Sequence, residues 1–507
     1  MPGRGAFCGR HEGALGVAIV AVGAILRAWG LTAQSLTSDE LYEIDMAAGP
    51  LSKIVTAADG FPPLYNLLLH GWLGAWGGAE SARWLSWLLG VASILVVWRL
   101  GRRLGGVTIG LGTAAFVAIS PVHIWYSQEA RAYMLVILLA SLAIWLLFRA
   151  LDGDVRRDWA MYAAAGAAGM YAHYYFLFVL LPGALVILLH RGLGKGLARP
   201  AAAHAAIAAA CVPLVFLLRA DFQLQADYAN IVAFDVGALG YTFVSILTGY
   251  SIGPSLRELH TFGLVEALRG FLPWLAALLP AVAILAYRGA AVLGRERARD
   301  LALFIALPVV LVGLLGTVAH VGYNVRYVIW IAIPMAVWLG AVATCWRRAP
   351  VAVALAIVLG MSGLGTWNRR TEERYRNEDA RAAAAWLRSH ADDDAPVFTL
   401  AAYMSRPIAY YVGRDREVQP IPRGPREERI ETALGTLESR VRGGDSYWLA
   451  YTRAFHGDRD GAVRAALERR HGLEPVARFA GIVLYRGSVP ARGSASPARP
   501  AAQSSAR

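Results

Sequence analysis

Charge is scarce in this chain. Only 17% of its 507 residues are Asp, Glu, Lys or Arg, while 57% are hydrophobic. A soluble protein of that length keeps far more charge on its surface. Cysteine is scarcer still. Cys8, Cys211 and Cys345 lie far apart, with no neighbour at metal-ligand or redox spacing, so neither a disulfide framework nor a zinc site follows. No internal repeat is present. A basic stripe interleaved with aromatics is also missing, so the net charge of +13 does not point to nucleic acid.

What the chain has is long apolar runs, a mean hydropathy of +0.44, and short basic clusters between the runs. Candidate membrane spans run over Ala14–Leu31, Ala82–Leu100, Val107–Ser120, Ala132–Leu151, Trp159–Tyr171 and Tyr174–His190. The series continues with Ala201–Leu218, Phe271–Tyr287, Leu301–Ala319, Tyr327–Cys345 and Val351–Trp367, about eleven crossings in all. One set of loops carries Arg99, Arg102 and Arg103, then Arg149, Arg156 and Arg157, then Arg191, Lys195 and Arg199. Arg288, Arg295, Arg297 and Arg299 follow in the same set, and Arg347 and Arg348 close it. Cytoplasmic loops are enriched in Lys and Arg, which puts this set and residues 1–13 inside; the Ala- and Arg-rich usage suggests a bacterium, and so its plasma membrane. The segment Pro62–Trp76 is apolar enough to be taken for a span, but a crossing there would reverse every later loop. It is therefore expected as a short helix at the outer interface, with Trp72 and Trp76 at interfacial depth. The first span could instead be a cleaved signal peptide. With no small-x-small cleavage site after it, and with Arg27 and Trp29 at an interfacial end, it is expected to stay as an anchor.

After Trp367 the composition turns polar. An amphipathic helix is expected over Asn377–His390, strands over Pro396–Leu400, Tyr447–Tyr451 and Val476–Tyr485, and a helix over Ser405–Val412. The expectation is a mainly α, polytopic membrane protein with a small C-terminal α/β domain outside the cytoplasm. Its parts are a transmembrane region over 14–367 with outer loops 32–81, 121–131 and 219–270, the α/β domain over 368–487, and a disordered Ser, Ala, Pro and Arg tail over 488–507.

Polar residues gather in three outer loops. LTAQSLTSDELYEIDMA carries Asp39, Glu40, Glu43 and Asp45; SPVHIWYSQEARAYM carries His123, Gln128, Glu129, Arg131 and Tyr133; HVGYNVRY carries Arg326. Adjacent carboxylates beside a membrane helix are ordinary loop solvation in most proteins. Three such clusters on helices that can bundle would instead line one cleft.

These residues resemble the bacterial protein O-mannosyltransferase and lipid A aminoarabinose-transferase superfamily, the GT-C glycosyltransferases. The resemblance is carried by LRAWGLTAQSLTSDELYE (Leu26–Glu43), FPPLYNLLLHGWL (Phe61–Leu73), SPVHIWYSQEARAYML (Ser120–Leu135) and AHYYFLFVLL (Ala172–Leu181), with NVRYV (Asn324–Val328) a weaker match. It covers roughly residues 14 to 200; Phe61 departs from the His or small polar residue that many relatives carry there. The resemblance implies transfer of a sugar from a polyprenyl-phosphate donor to a glycan, lipid or protein hydroxyl, with inversion, outside the cytoplasm. No nucleotide sugar is present there, so no phosphate-cradling loop is needed. Asp39 matches the family's first-loop acidic residue, which implies a general base, with Glu40 supporting it. Arg131 and Arg326 are implied for the leaving phosphate, because a guanidinium fits phosphate bidentately. Glu129 and Gln128 could orient Arg131 or bind substrate hydroxyls. His173 and Tyr174 could line the donor pocket, and read equally well as an interfacial aromatic belt. No cofactor is expected; a divalent metal between first-loop carboxylates and donor phosphate is compatible with the family, although adjacent side chains need not converge on one ion. The rival readings are a membrane transporter and a lipid-linked glycan polymerase or ligase. The spans Ala132–Leu147 and Leu301–Ala319 contain no ionisable residue, which disfavours the transporter.

Overall fold

The computed structural model describes residues 3–56, 61–218, 234–262, 269, 271–318, 323–390, 395–413, 416–424 and 428–491. The chain forms two compact units. The first holds Met1–Ala33, Tyr42–Ser255 and Leu264–Thr371; the second holds Gln34–Leu41, Leu256–Gly263 and Glu372–Arg507. Residues 219–233, 263–268 and 270 of the expected outer loop over 219–270, and most of the tail over 488–507, lie outside the described residues.

The first unit is a multi-pass membrane bundle. Among the described residues, 8 helices are long and apolar enough to cross a membrane, and 9 if the bent pair Ala198–Ala210 and Val212–Leu218 is one span. The longest apolar stretch, Ala79–Ile119, has 41 residues. Straight, it would be about 60 Å long, twice a bilayer's hydrocarbon core. It folds back on itself at Gly106, whose φ of 82° and ψ of −175° end the helix. The two halves pack backbone to backbone: a Cβ on Gly110 would stand 2.9 Å from the Trp98 carbonyl oxygen. The chain thus reverses between the two runs that the sequence separated at Ala82 and Val107. Arg156–Ala172, with 17 residues, is about the shortest helix that can span. The sequence suggests about eleven crossings; the described helices long and apolar enough to span number 8, or 9 with the bent pair.

The basic loops lie together on one face of this unit, joined by a chain of ion pairs. Arg102 meets Glu12 at 3.1 Å and Arg103 meets Asp152 at 2.8 Å. Asp154 takes both Arg191 (3.3 Å) and Arg199 (2.6 Å), and Asp300 takes His190 (2.6 Å) and Arg299 (2.8 Å). The segment after Pro62 forms a helix over Leu64–Trp76 of only 13 residues. At about 20 Å it is too short to cross.

The second unit is a five-stranded sheet covered on both faces. Its strands are β1 (Val397–Thr399), β2 (Val418–Pro420), β3 (Ser446–Thr452), β4 (Glu474–Phe479) and β5 (Ile482–Ser488), in the order β2-β1-β3-β5-β4. The β2, β1 and β3 strands run parallel, while β5 lies antiparallel to both β3 and β4. Side chains alternate along β3. Trp448 and Ala450 pack with the helices Ala380–His390 and Ser405–Val412, whereas Tyr447 and Leu449 pack with Arg429–Arg440 and Ala462–His471. One sequence expectation changes. Val476–Tyr485 is not a single strand but the hairpin β4–β5, because Gly481 turns the chain at a φ of 66°. β2 and the helices Arg429–Arg440 and Ala462–His471 were not anticipated.

Candidate active site

The first-loop acidic motif begins a helix, Ser38–Ala47, whose first turn belongs to the second unit. Within that unit the preceding segment is held by side chains. The Ser35 hydroxyl donates to Asp379 at 3.0 Å and accepts from the Arg381 N–H at 3.0 Å, and the Leu36 N–H donates to the Tyr411 hydroxyl at 2.8 Å. Thr37 and Glu40 then close a capping box. The Thr37 N–H donates to Glu40 Oε2 at 2.9 Å, and the Glu40 N–H donates to Thr37 Oγ1 at 3.2 Å. The two neighbouring carboxylates thus differ in environment: Glu40 is fully buried and engaged with backbone, and Asp39 is exposed. Among the described residues, no three His, Cys, Asp or Glu side chains form a metal-binding group.

In the first unit, the loop after Ile119 is positioned by Arg27. Its buried guanidinium donates to the carbonyls of Gly23, Val117 and Ala118, each at 2.8 Å, and to His123 Nδ1 at 2.8 Å. The last two carbonyls lie in the final turn of a helix, where Val117 also accepts the Ser120 N–H at 3.3 Å, and Arg27 completes the cap. Because guanidinium only donates, His123 Nδ1 must accept. The ring is then neutral, with its Nε2–H donating to Ser93 Oγ at 2.8 Å. Burial, and after it the charge of Arg27, hold the His123 pKa well below its ordinary value. Gln128 completes the interlock by donating to the carbonyls of Arg27 and Trp29, each at 2.9 Å.

Arg131 follows this anchored turn. Its Nη1 lies 3.3 Å from Glu43 Oε1, and its guanidinium stands 4.7 Å over the Phe61 ring and 5.7 Å over the Tyr133 ring. Arg326 approaches the same tyrosine, 5.9 Å from its centroid, from a turn capped by Asn324, whose Oδ1 accepts the Arg326 N–H at 3.1 Å. His173 lies beside both. Its ring is edge-on to Phe61 at 5.4 Å and tilted against Tyr133 at 6.4 Å. The Tyr175 N–H donates to His173 Nδ1 at 3.2 Å, which leaves the proton of the neutral ring on Nε2. That Nε2 is buried and has no hydrogen-bond partner among the described residues. Burial, then the charges of Arg131 and Arg326, lower the His173 pKa to about 3. Tyr175 stacks on Tyr327 at 4.6 Å, closing one side of the group.

The structure therefore brings Arg131, Arg326 and His173 around Tyr133. Glu129 is half-buried; its charge helps raise the pKa values of Tyr126 and Tyr250, after the larger effect of burial, and the two hydroxyls are 3.1 Å apart. Tyr174 is half-buried at the start of the turn Tyr174–Phe176. Sequence reading missed Glu43 as a partner of Arg131. The available signal was its position four residues after Asp39, one helical turn along.

The sequence profile of the family described as dolichyl-phosphate-mannose-protein mannosyltransferase matches residues 62–219. No curated protein matches the chain. Among solved structures, apo ArnT from Cupriavidus metallidurans superposes with a TM-score of 0.56 at 14% identity, covering 93% of this chain and 97% of that one. The same enzyme bound to undecaprenyl phosphate gives 0.50 at 14% identity, with the same coverage. The apo oligosaccharyltransferase of Archaeoglobus fulgidus gives 0.52 at 12% identity, covering 94% of this chain and 75% of that one. The chain has the GT-C glycosyltransferase fold. The likeness to these structures is one of fold, and the mannosyltransferase family model matches the part of the chain over residues 62–219.

Proposed function

We propose that this protein transfers a hexosyl or pentosyl group from a polyprenyl-phosphate donor to an acceptor hydroxyl, with inversion, at the outer face of a bacterial plasma membrane. The observation that carries this reading is the gathering of two guanidiniums and the buried, unpartnered Nε2–H of His173 around one tyrosine. Three donors gathered at one tyrosine suit a phosphate. Support also comes from the mannosyltransferase profile and from the likeness to an enzyme solved with undecaprenyl phosphate. The collected basic loops support a cytoplasmic N-terminus, with the α/β unit outside.

In the proposed reaction Asp39 accepts the proton of the acceptor hydroxyl as its oxygen attacks the anomeric carbon. The bond from that carbon to the phosphate oxygen breaks on the opposite face. The phosphate departs with the bonding pair, and Arg131, Arg326 and His173 donate to the charge that develops on it. Glu40 acts by capping the helix that presents Asp39.

The test is release of free polyprenyl phosphate from a panel of polyprenyl-phosphate sugars, with purified protein and crude cell-envelope acceptor. Acceptor-dependent release that falls by about 10²-fold or more in Asp39→Asn is the expected result. Equal release from Asp39→Asn would remove Asp39 from the chemistry, and no release from any donor would reopen the transporter reading.

A further inference from the structure

A second group of chemically capable side chains lies wholly within the α/β unit. Arg453 anchors it in a left-handed backbone conformation, with φ 45° and ψ 51°, which a non-glycine residue adopts only when its surroundings enforce it. The enforcing contact is a bidentate pair. Arg453 Nε and Nη2 reach the two oxygens of Glu378, each at 2.8 Å, and Nη1 donates to the Tyr403 hydroxyl at 3.4 Å. The residues that follow the strained turn form an aromatic row. Phe455 and His456 are 4.7 Å apart, His456 meets Tyr403 edge-on at 5.2 Å, and His260 stacks on Phe455 at 4.9 Å with 14° between planes. Asp39 is close enough for its charge to act on Tyr403.

The charge balance of this row limits what it can take. Glu378 neutralises Arg453, so the guanidinium offers little to an anion. Burial, then Arg453, His260 and Arg423, lower the His456 pKa to about 4, and burial and Arg453 lower that of His260. Both imidazoles are therefore neutral, each ring carrying one donor and one acceptor nitrogen. A row of ring faces interleaved with neutral donors and acceptors suits a ligand with C–H patches and many hydroxyls. It does not suit an acyl chain or a phosphate.

We propose that Tyr403, Phe455, His456 and His260 form the acceptor subsite and that the acceptor is a carbohydrate, with a pyranose ring lying on this row and presenting a hydroxyl to Asp39. This rests on the transferase reading above. The same ring chemistry could come from a polysaccharide or from a glycolipid headgroup.

The experiment uses the full chain in detergent, with Phe455→Ala/His456→Ala as the test variant and Phe455→Trp as the conservative one. Saturation-transfer NMR with soluble mannotetraose, glucotetraose and galactotetraose reads binding without turnover. A detergent-solubilised glycolipid and a Ser/Thr-rich peptide form the other arms. We expect at least one sugar or the glycolipid to bind, to weaken about tenfold in the double variant, and to recover in Phe455→Trp. Whichever of those two binds identifies the source. In the release assay the half-saturating amount of envelope acceptor should rise while the donor KM stays constant. Sugar binding that survives in the double variant, donor and acceptor constants that rise together, or binding by the peptide alone would overturn the proposal. Failure of the transferase reading is separate: it would appear as absent polyprenyl-phosphate release while sugar binding persists.

Discussion

Arg131 and Glu43 form a buried ion pair across 3.3 Å, with side-chain exposures of only 7% and 2%. Glu43 lies on the acidic helix and Arg131 ends the loop pinned by Arg27, so the pair joins two of the motifs first seen as separate stretches of sequence. Its position beneath the Phe61 and Tyr133 rings fixes the direction of the guanidinium.

Removing one partner of a buried pair strands the other. Glu43→Gln is expected to cost about 3–5 kcal/mol of stability and to raise the donor KM, because Arg131 loses its orientation. Thermal unfolding and donor saturation curves measure both. An unchanged donor KM in a folded variant would mean that Arg131 is placed by the rings alone.

His173 supplies a pH signature. Its folded pKa of about 3 lies below the ordinary value of about 6.5, so the unfolded chain binds this proton more readily than the folded one. The stability it contributes is complete above about pH 6.5 and is lost as pH falls towards 3. His173→Gln, which cannot titrate, should lose less stability than wild type between pH 7 and pH 5. Parallel unfolding curves would show that His173 is protonated at the same pH in both states.

Sidedness is open to a chemical test. In a chain with Cys8, Cys211 and Cys345 replaced by Ser, Ala33→Cys and Trp76→Cys should react with an impermeant maleimide in intact cells. Arg156→Cys should react only after permeabilisation. Labelling of Trp76→Cys with the opposite pattern to Ala33→Cys would mean that the helix Leu64–Trp76 crosses after all.

Much of the membrane unit was legible because hydropathy there is a constraint: unpaired backbone in lipid is so costly that spans must read as long apolar helices. Even the hairpin at Gly106 was visible as two runs separated by glycines. The α/β unit was less so. β3 shows as a hydrophobic run because both of its faces are buried, but β2 is a three-residue parallel edge strand, too short for any periodicity to mark. The hairpin β4–β5 depends on a single glycine conformation inside an apolar stretch. At the candidate site, Arg131 and Arg326 could be named from phosphate chemistry. Their meeting at Tyr133, with His173 between, joins residues nearly two hundred positions apart and had no local signature. The Arg453 row was invisible for the same reason, since only folding brings His260 against Phe455.

The ion pairs on the basic face have a consequence for biogenesis. While the nascent chain enters the membrane, orientation is set by Lys and Arg, with acidic residues contributing little. In the proposed orientation, Arg102, Arg103, Arg191 and Arg199 act at that stage as unpaired cations that hold their loops back. Once the helices assemble, the same side chains close on Glu12, Asp152 and Asp154, and what steered insertion becomes a latch between neighbouring loops. In that orientation one set of arginines works at two times, first as a topological signal and then as a fastening.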